Sequence, residues 1–391
     1  MSKLYFATEA RFIKRNGTYY TLGAGFTKIL WERYLEYFSE LRIIARVNVD
    51  ESMTVNDSMK VADERISFIE IPYYIGFMGF LKQRNSIKTI LKEQLRNDGI
   101  YLCRLPGNVG SEVISVLNEK RIRYSCEVVG NPWDVFAKGS INHPLRPLLR
   151  RISTYLLKKQ LRNACAALYV TQKTLQAMYP VKDGVFNVGV SDVIIKDADV
   201  AQIAKTLVKK QKYRLISVGS LEQLYKAPDI VLRALKQIID KGFDCELLWL
   251  GEGIYKKDMI ELATSLSITN HVFFAGSVSA SQVLSYLRGA DIFLLVSRTE
   301  GLPRALVEAM AQGLPCIGSN VGGIPELLSS EVLVEKDDVD GLVLLIEKML
   351  LDPEFTDKQA KQNLIEAQQY KESELVKIRS SFYKHLSNIQ Q

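Results

Sequence analysis

From residue 213 onward the chain alternates short unbroken apolar runs with stretches of helical periodicity; the runs fall at 215–218, 246–250, 272–275, 291–296 and 315–318. A strand without polar alternation is one covered on both faces, the environment that helical crossovers give a parallel sheet. The pattern therefore predicts a doubly wound parallel sheet. The first half alternates more loosely, with strand candidates at 3–7, 41–47, 100–103, 124–128 and 166–170. Two similar α/β halves suit a chain of 391 residues, longer than one hydrophobic core usually serves, and a hydrophobic content of 47% is ample for both.

The expected division is a first Rossmann-like domain at 1–190, a connection at 191–212, a second Rossmann-like domain at 213–366 and a terminal helix at 367–391 that packs back on the first domain. The connection follows the turn-prone Gly189-Val190-Ser191-Asp192, is polar and leads into a helix. Beyond Asp352-Pro353 a helical pattern runs in two pieces, 358–370 and 372–386, without a strand. A ligand cleft is expected between the two halves.

Composition narrows the chemistry. A net charge of +7 is mild for this length and lacks the concentrated footprint of a nucleic-acid binder. Five cysteines without a Cys-x-x-Cys pair argue against a zinc site or a disulfide framework and suit a reducing cytosol. With three histidines (His143, His271, His385) a histidine metal cluster is not expected, so chemistry rests on carboxylates, Lys, Arg and backbone dipoles. The amino terminus has no signal-like apolar segment, and no apolar stretch approaches the ~20 residues that span a bilayer.

The segment 299–310 (Thr-Glu-Gly-Leu-Pro-Arg-Ala-Leu-Val-Glu-Ala-Met) sets Glu300 and Glu308 around a strand-to-helix turn. Pro303 suits the first helical turn, and Gly313 with Pro315 closes the helix. Open parallel sheets bind ligands at this edge, and the two carboxylates suit the hydroxyls of a sugar nucleotide. Arg304 and Glu308, four apart, also fit an ordinary exposed ion pair, although a cation in the first turn opposes the helix dipole. Likewise 217–226 (Ser-Val-Gly-Ser-Leu-Glu-Gln-Leu-Tyr-Lys) puts Gly219 at a strand end and Lys226 at a helix start, where the ammonium meets either an anion or solvent.

Gly219 through Lys226, Gly276-Ser277-Val278, Glu300 through Glu308 and Gly322-Gly323-Ile324-Pro325-Glu326 occur in the order and spacing of retaining glycosyltransferases of family four. The resemblance is specific over 213–351 and weak over 1–190. It implies the GT-B fold, two Rossmann-like doubly wound domains facing a deep cleft, a nucleotide-sugar donor, no obligatory metal and retention of anomeric configuration. It makes Glu300 the carboxylate on the donor sugar's hydroxyls, Glu308 the one on the ribose hydroxyls and Lys226 the cation on the diphosphate. Val278 matches the position bordering the base, Gly301 and Leu302 supply amides near the phosphates, and Gly322-Gly323 lets the backbone pass close by. Gly23 and Gly25, in a glycine loop after the first strand, match positions that border the donor phosphates.

Three departures stand out. Ser220 occupies a position where many members carry an arginine, and Arg304 or Arg298 is the available replacement. Pro303 removes one amide donor. In place of a first-domain histidine the chain has Glu127-Val128-Val129-Gly130-Asn131-Pro132-Trp133-Asp134, where Asn131 and Asp134 are candidates for acceptor or sugar contacts or, equally, for a turn with an Asx cap. Asp197-Ala198-Asp199 and Asp338-Val339-Asp340 fit a metal-binding Asp-x-Asp pattern, but the first lies in the connection and the second opens a helix. Gly23-Ala24-Gly25 lacks the third glycine and acidic partner of a nicotinamide site.

From Lys138 to Arg162 come seven Lys or Arg residues (Lys138, Arg146, Arg150, Arg151, Lys158, Lys159, Arg162) and no acid, while Leu145, Leu148, Leu149, Ile152 and Leu156 recur at helical spacing. Such a helix suits an anionic membrane surface or a core-packed position with a solvated cationic face. The resulting expectation is a metal-independent retaining glycosyltransferase, cytoplasmic or peripheral on the inner membrane face through 138–162. It moves a sugar from a UDP donor, GDP being the second choice, to a lipid-linked or growing polysaccharide or oligosaccharide acceptor, without nucleic-acid partners. A noncatalytic nucleotide-sugar-binding subunit and a sugar-nucleotide epimerase are the alternatives.

Overall fold

The computed structural model describes residues 2–22, 26, 28–53, 59–61, 63–135 and 146–389. They form two compact units, one containing the first nine strands together with the chain end from Lys377, the other running from Ser191 to Val376.

In the second unit six strands pair in parallel: β10 (Tyr213–Val218), β11 (Cys245–Leu250), β12 (Val272–Gly276), β13 (Ile292–Leu295), β14 (Cys316–Ser319) and β15 (Leu333–Val334). Their order, β12-β11-β10-β13-β14-β15, reverses direction between β10 and β13. Crossover helices follow most strands, and β13 and β14 are buried throughout, which is why their sequences read as continuous apolar runs. The helix Pro228–Asp240 buries Val231, Ala234, Leu235 and Ile238, one stripe at helical spacing. The helix Ala280–Gly289 begins with a capping box between Ser279 and Gln282.

The first unit holds β1 (Lys3–Arg15), β2 (Thr18–Thr21), β3 (Glu40–Val49), β4 (Lys60–Val61), β5 (Ile66–Pro72), β6 (Ile100–Leu105), β7 (Ser125–Val128), β8 (Ala166–Tyr169) and β9 (Phe186–Gly189). Its parallel part runs β5-β3-β1-β6-β7-β8-β9. β1 is far longer than the expected 3–7 because it serves two partners in turn. Leu4–Ala7 pairs with β6, and after an irregularity between Ala7 and Arg11 the strand continues into an antiparallel hairpin with β2, which pairs onward with β4. The strands β2, β4, β5, β9 and β15 carry no distinct apolar run and were not expected. The connection departs from expectation too: 191–212 contains the 3₁₀ turn Asp197–Asp199 and no α-helix before β10.

Beyond residue 352 lie the helices Pro353–Ala367 and Glu372–Asn388. Phe382 and Tyr383 are buried in the first unit, where Tyr383 meets Tyr34 and Tyr37.

Candidate active site

The reversal of strand order between β10 and β13 opens a gap between crossovers at the carboxyl edge of the sheet. The chain leaving β10 carries Lys226 and the chain leaving β13 carries Glu300, so the topology alone brings together residues 74 apart. Lys226 Nζ donates to Glu300 Oε1, and Ser297 Oγ donates to the same oxygen at 2.7 Å. The two side chains are 11% and 9% exposed. A pair this sheltered is held by mutual neutralisation, since removing either partner leaves an uncompensated charge. Glu300 Oε2 has no partner among the described residues, and two Lys226 protons are likewise uncommitted.

Glycines shape this corner. A side chain on Gly219 would collide with the Lys226 stem, which lies across it. Gly322, at φ +56°, has its missing Cβ only 2.0 Å from the Glu300 carbonyl oxygen, and the Gly323 amide donates to the Gly301 carbonyl at 2.9 Å. The loop after β14 thus lies directly on the Glu300-Gly301 backbone. Beneath the β10 exit, Gly251 and Gly253 flank Glu252; the Leu221 amide donates to Glu252 O at 2.9 Å, and Trp249 Nε1 donates to Gly219 O at 2.9 Å.

Glu308 sits in the helix Arg304–Ala311, which starts after Pro303; the proline precedes the helix rather than forming its first turn. Burial pushes the Glu308 carboxyl above the usual carboxylate range, with Arg304 opposing it from 3.5 Å. Arg304 itself is 65% exposed. The helix has no acid in its first turn and no side-chain cap, so its leading amides and positive dipole end are not met by a carboxylate of their own.

The other proposed replacement cation is engaged elsewhere. Arg298 forks onto Asp229 at 2.7 and 3.0 Å and reaches Asp337 at 2.6 Å. Ser220 Oγ accepts the Glu222 amide at 3.1 Å, closing a local turn.

Residues 199–367 match the family described as glycosyl transferases group 1. Protein CapJ of Staphylococcus aureus is 29% identical over 364 residues, 92% of this chain and 90% of that protein. The chain is a glycosyltransferase, with the group 1 match lying within residues 199–367. A GDP-mannose-dependent monoacylated alpha-(1-6)-phosphatidylinositol monomannoside mannosyltransferase of Corynebacterium glutamicum is 35% identical to the glycosyltransferase over 137 residues, 33% of this chain and 35% of that one. Anabaena Alr3699/HepE in complex with UDP and glucose shares the fold at a TM-score of 0.62 and 14% identity, with 100% of each chain covered. The fold is GT-B, with two parallel-sheet domains.

The remaining sequence candidates of the glycosyltransferase divide by location. Val278 is partly buried against the core of the second unit, just beyond β12. Asn131 belongs to the first unit, where its Oδ1 accepts the Trp133 amide at 3.0 Å and so caps the short helix Pro132–Val135. Gly23, Gly25 and the Asp134 side chain lie outside the described residues. Asp338 caps the helix Val339–Leu351 through the Gly341 amide at 2.9 Å, and Asp197 binds Ser373, so both Asp-x-Asp patterns have local partners. Sequence reasoning missed Ser297, Asp229, Asp337 and the Gly251-Glu252-Gly253 loop. Only the last carried a signal, paired glycines directly after an apolar strand.

Proposed function

We propose that this glycosyltransferase takes its sugar from a nucleoside diphosphate donor, UDP before GDP, bound at the β10–β13 switch point of the second unit. The observation that carries the reading is the sheltered Lys226–Glu300 pair beside an uncapped helix start. One free carboxylate oxygen and two free ammonium protons suit a sugar hydroxyl and a phosphate on neighbouring atoms. Glu308 takes the ribose hydroxyls, and the Gly301 and Leu302 amides and Arg304 face the phosphates, with Gly322 and Gly323 supporting the loop.

In the transfer, the bond from the anomeric carbon to the diphosphate oxygen breaks and a bond to the acceptor oxygen forms on the same face. The acceptor's proton passes to the departing phosphate oxygen. Negative charge grows on that oxygen, and fixed donors around it lower the barrier, each typically by ~3 kcal/mol. Lys226 and the amides carry this load in the proposal, with no metal. A lipid-linked or growing glycan acceptor is supported by the name of the Corynebacterium relative and by the outward face of the helix Arg146–Arg162. That face would hold the protein on the inner face of the membrane; residues 138–145 of the basic segment lie outside the described residues.

A thermal-shift screen against UDP, GDP and ADP sugars tests the reading, because a ligand that binds only the folded chain raises its Tm by mass action. A UDP or GDP sugar is expected to raise Tm in the presence of EDTA. Glu308→Ala should abolish the shift and Lys158→Ala should leave it intact. A shift that survives Glu308→Ala overturns the site.

A further inference from the structure

Arg298 stands between the two strand exits that carry Lys226 and Glu300. Its guanidinium has five N–H donors, and contacts inside the unit engage four of them. Nε donates to Asp337 Oδ1 at 2.6 Å, Nη1 to Leu224 O at 2.6 Å and to Asp229 Oδ1 at 3.0 Å, and Nη2 to Asp229 Oδ2 at 2.7 Å. Its backbone amide donates to Tyr225 O at 2.7 Å. Two aspartates neutralise its charge, so the side chain offers little net positive field to a phosphate.

The contacts converge on Leu224–Lys226, a single 3₁₀ turn. One such turn, with poorer hydrogen-bond geometry than an α-helix, does not fix its last side chain firmly by itself. Arg298 takes two successive carbonyls of that turn, Leu224 O and Tyr225 O, while its fork grips Asp229 in the first turn of the following helix. On its own strand exit it lies between Ser297, which holds Glu300 Oε1, and Glu300 itself. The hydroxyl of Ser319 on β14 fixes Ser297 in turn, donating to its carbonyl at 2.6 Å.

We propose that Arg298 is a positioning residue that sets Lys226 against Glu300 across the switch point, and is not a ligand of the donor phosphates. The proposal rests on the assignment of Lys226 to the diphosphate. Lysine cannot replace the arginine, because a point charge cannot fork onto Asp229 while also reaching Leu224 and Asp337.

The test compares Arg298→Lys, Arg298→Ala, Lys226→Ala and the double variant Lys226→Ala/Arg298→Ala in the full chain. The readout is calorimetric affinity for UDP and UMP, with GDP and GMP as the second pair. Each single variant is expected to weaken diphosphate binding about tenfold, roughly 1.4 kcal/mol, while monophosphate binding stays within about twofold. Arg298→Lys should match Arg298→Ala. The double variant should bind diphosphate no more weakly than Lys226→Ala alone, because Arg298 acts through Lys226. Multiplying losses, a parent-like Arg298→Lys, or equal losses of mono- and diphosphate would each overturn the proposal.

If Lys226→Ala leaves diphosphate binding unchanged, the assignment of Lys226 fails separately. Arg298 is then judged by amide hydrogen exchange in the unliganded chain. Faster exchange in Arg298→Ala confined to 224–230 and 298–301 supports the clamp, and parent-like protection there overturns it.

Discussion

Glu308 has lost most of its water in the second turn of its helix, and the one cation that opposes the penalty, Arg304, is itself largely exposed. A carboxyl whose pKa is higher in the folded chain than in the unfolded one holds its proton more tightly when folded. The folded state is therefore favoured while Glu308 is protonated, and that advantage is lost as pH rises through the raised value. Glu308→Gln keeps the shape without the charge. Its Tm should exceed the parent's at about pH 7 and converge with it below about pH 4, as scanning calorimetry at the two pH values would show. A lower Tm at about pH 7 would mean that the carboxylate is stabilised by something other than Arg304. That Glu308 is retained at a cost in stability fits a ligand contact. Glu300, Glu308 and Lys226 were legible in the sequence because each lies in a short segment whose strand and helix signals are local. Asp229 and Asp337 were not, because they meet Arg298 across 69 and 39 positions without any periodic pattern.

At the scale of elements, the helix Arg146–Arg162 has both a core-packed edge and an exposed face. Its core contacts are Leu157 and Leu161, whereas Leu148, Ile152, Tyr155 and Leu156 are exposed, so the outward face is apolar as well as cationic. Arg150 is drawn inward over the Trp133 ring at 3.7 Å. Arg151, Lys158, Lys159 and Arg162 have no ion-pair partner among the described residues. Apolar side chains interleaved with unpaired cations suit an anionic bilayer surface, where each Lys or Arg contributes about 1 kcal/mol. The protein should sediment with phosphatidylglycerol vesicles and not with phosphatidylcholine vesicles, and Arg151→Ala/Lys159→Ala should weaken that partition roughly tenfold or more. Equal binding to both vesicle types would remove the electrostatic part of the reading. The strands followed the same logic of visibility. Buried runs such as Ile292–Leu295 were plain, while Ile66–Pro72 alternates with polar residues and Leu333–Val334 is a two-residue edge strand.

Across the whole molecule, two sheets built on one winding principle differ in what occupies their switch points. In the first unit the reversal falls between β1 and β6, and the helix Asn108–Glu119 starts there. Its leading amides already have an anion: Glu9 Oε1 accepts the Val109 amide at 2.5 Å, and Glu9 Oε2 takes Arg46 at 3.2 Å and the Tyr74 hydroxyl at 3.3 Å. Gly107 makes the room, since a Cβ there would stand 2.7 Å from Glu9 Cγ. Among the described residues, the start of the helix Arg304–Ala311 in the second unit has no such plug in its first turn or cap. Fold class alone, which the alternation of runs made legible, does not distinguish the two switch points; the contacts of a single carboxylate on β1 do, and no motif marks it. Hydrogen exchange with saturating UDP or GDP should therefore slow the amides at 219–226 and 300–304 and leave those at 107–110 unchanged. New protection at 107–110 would require phosphate to displace Glu9 from a helix start it already neutralises, and would move the donor site to the first unit.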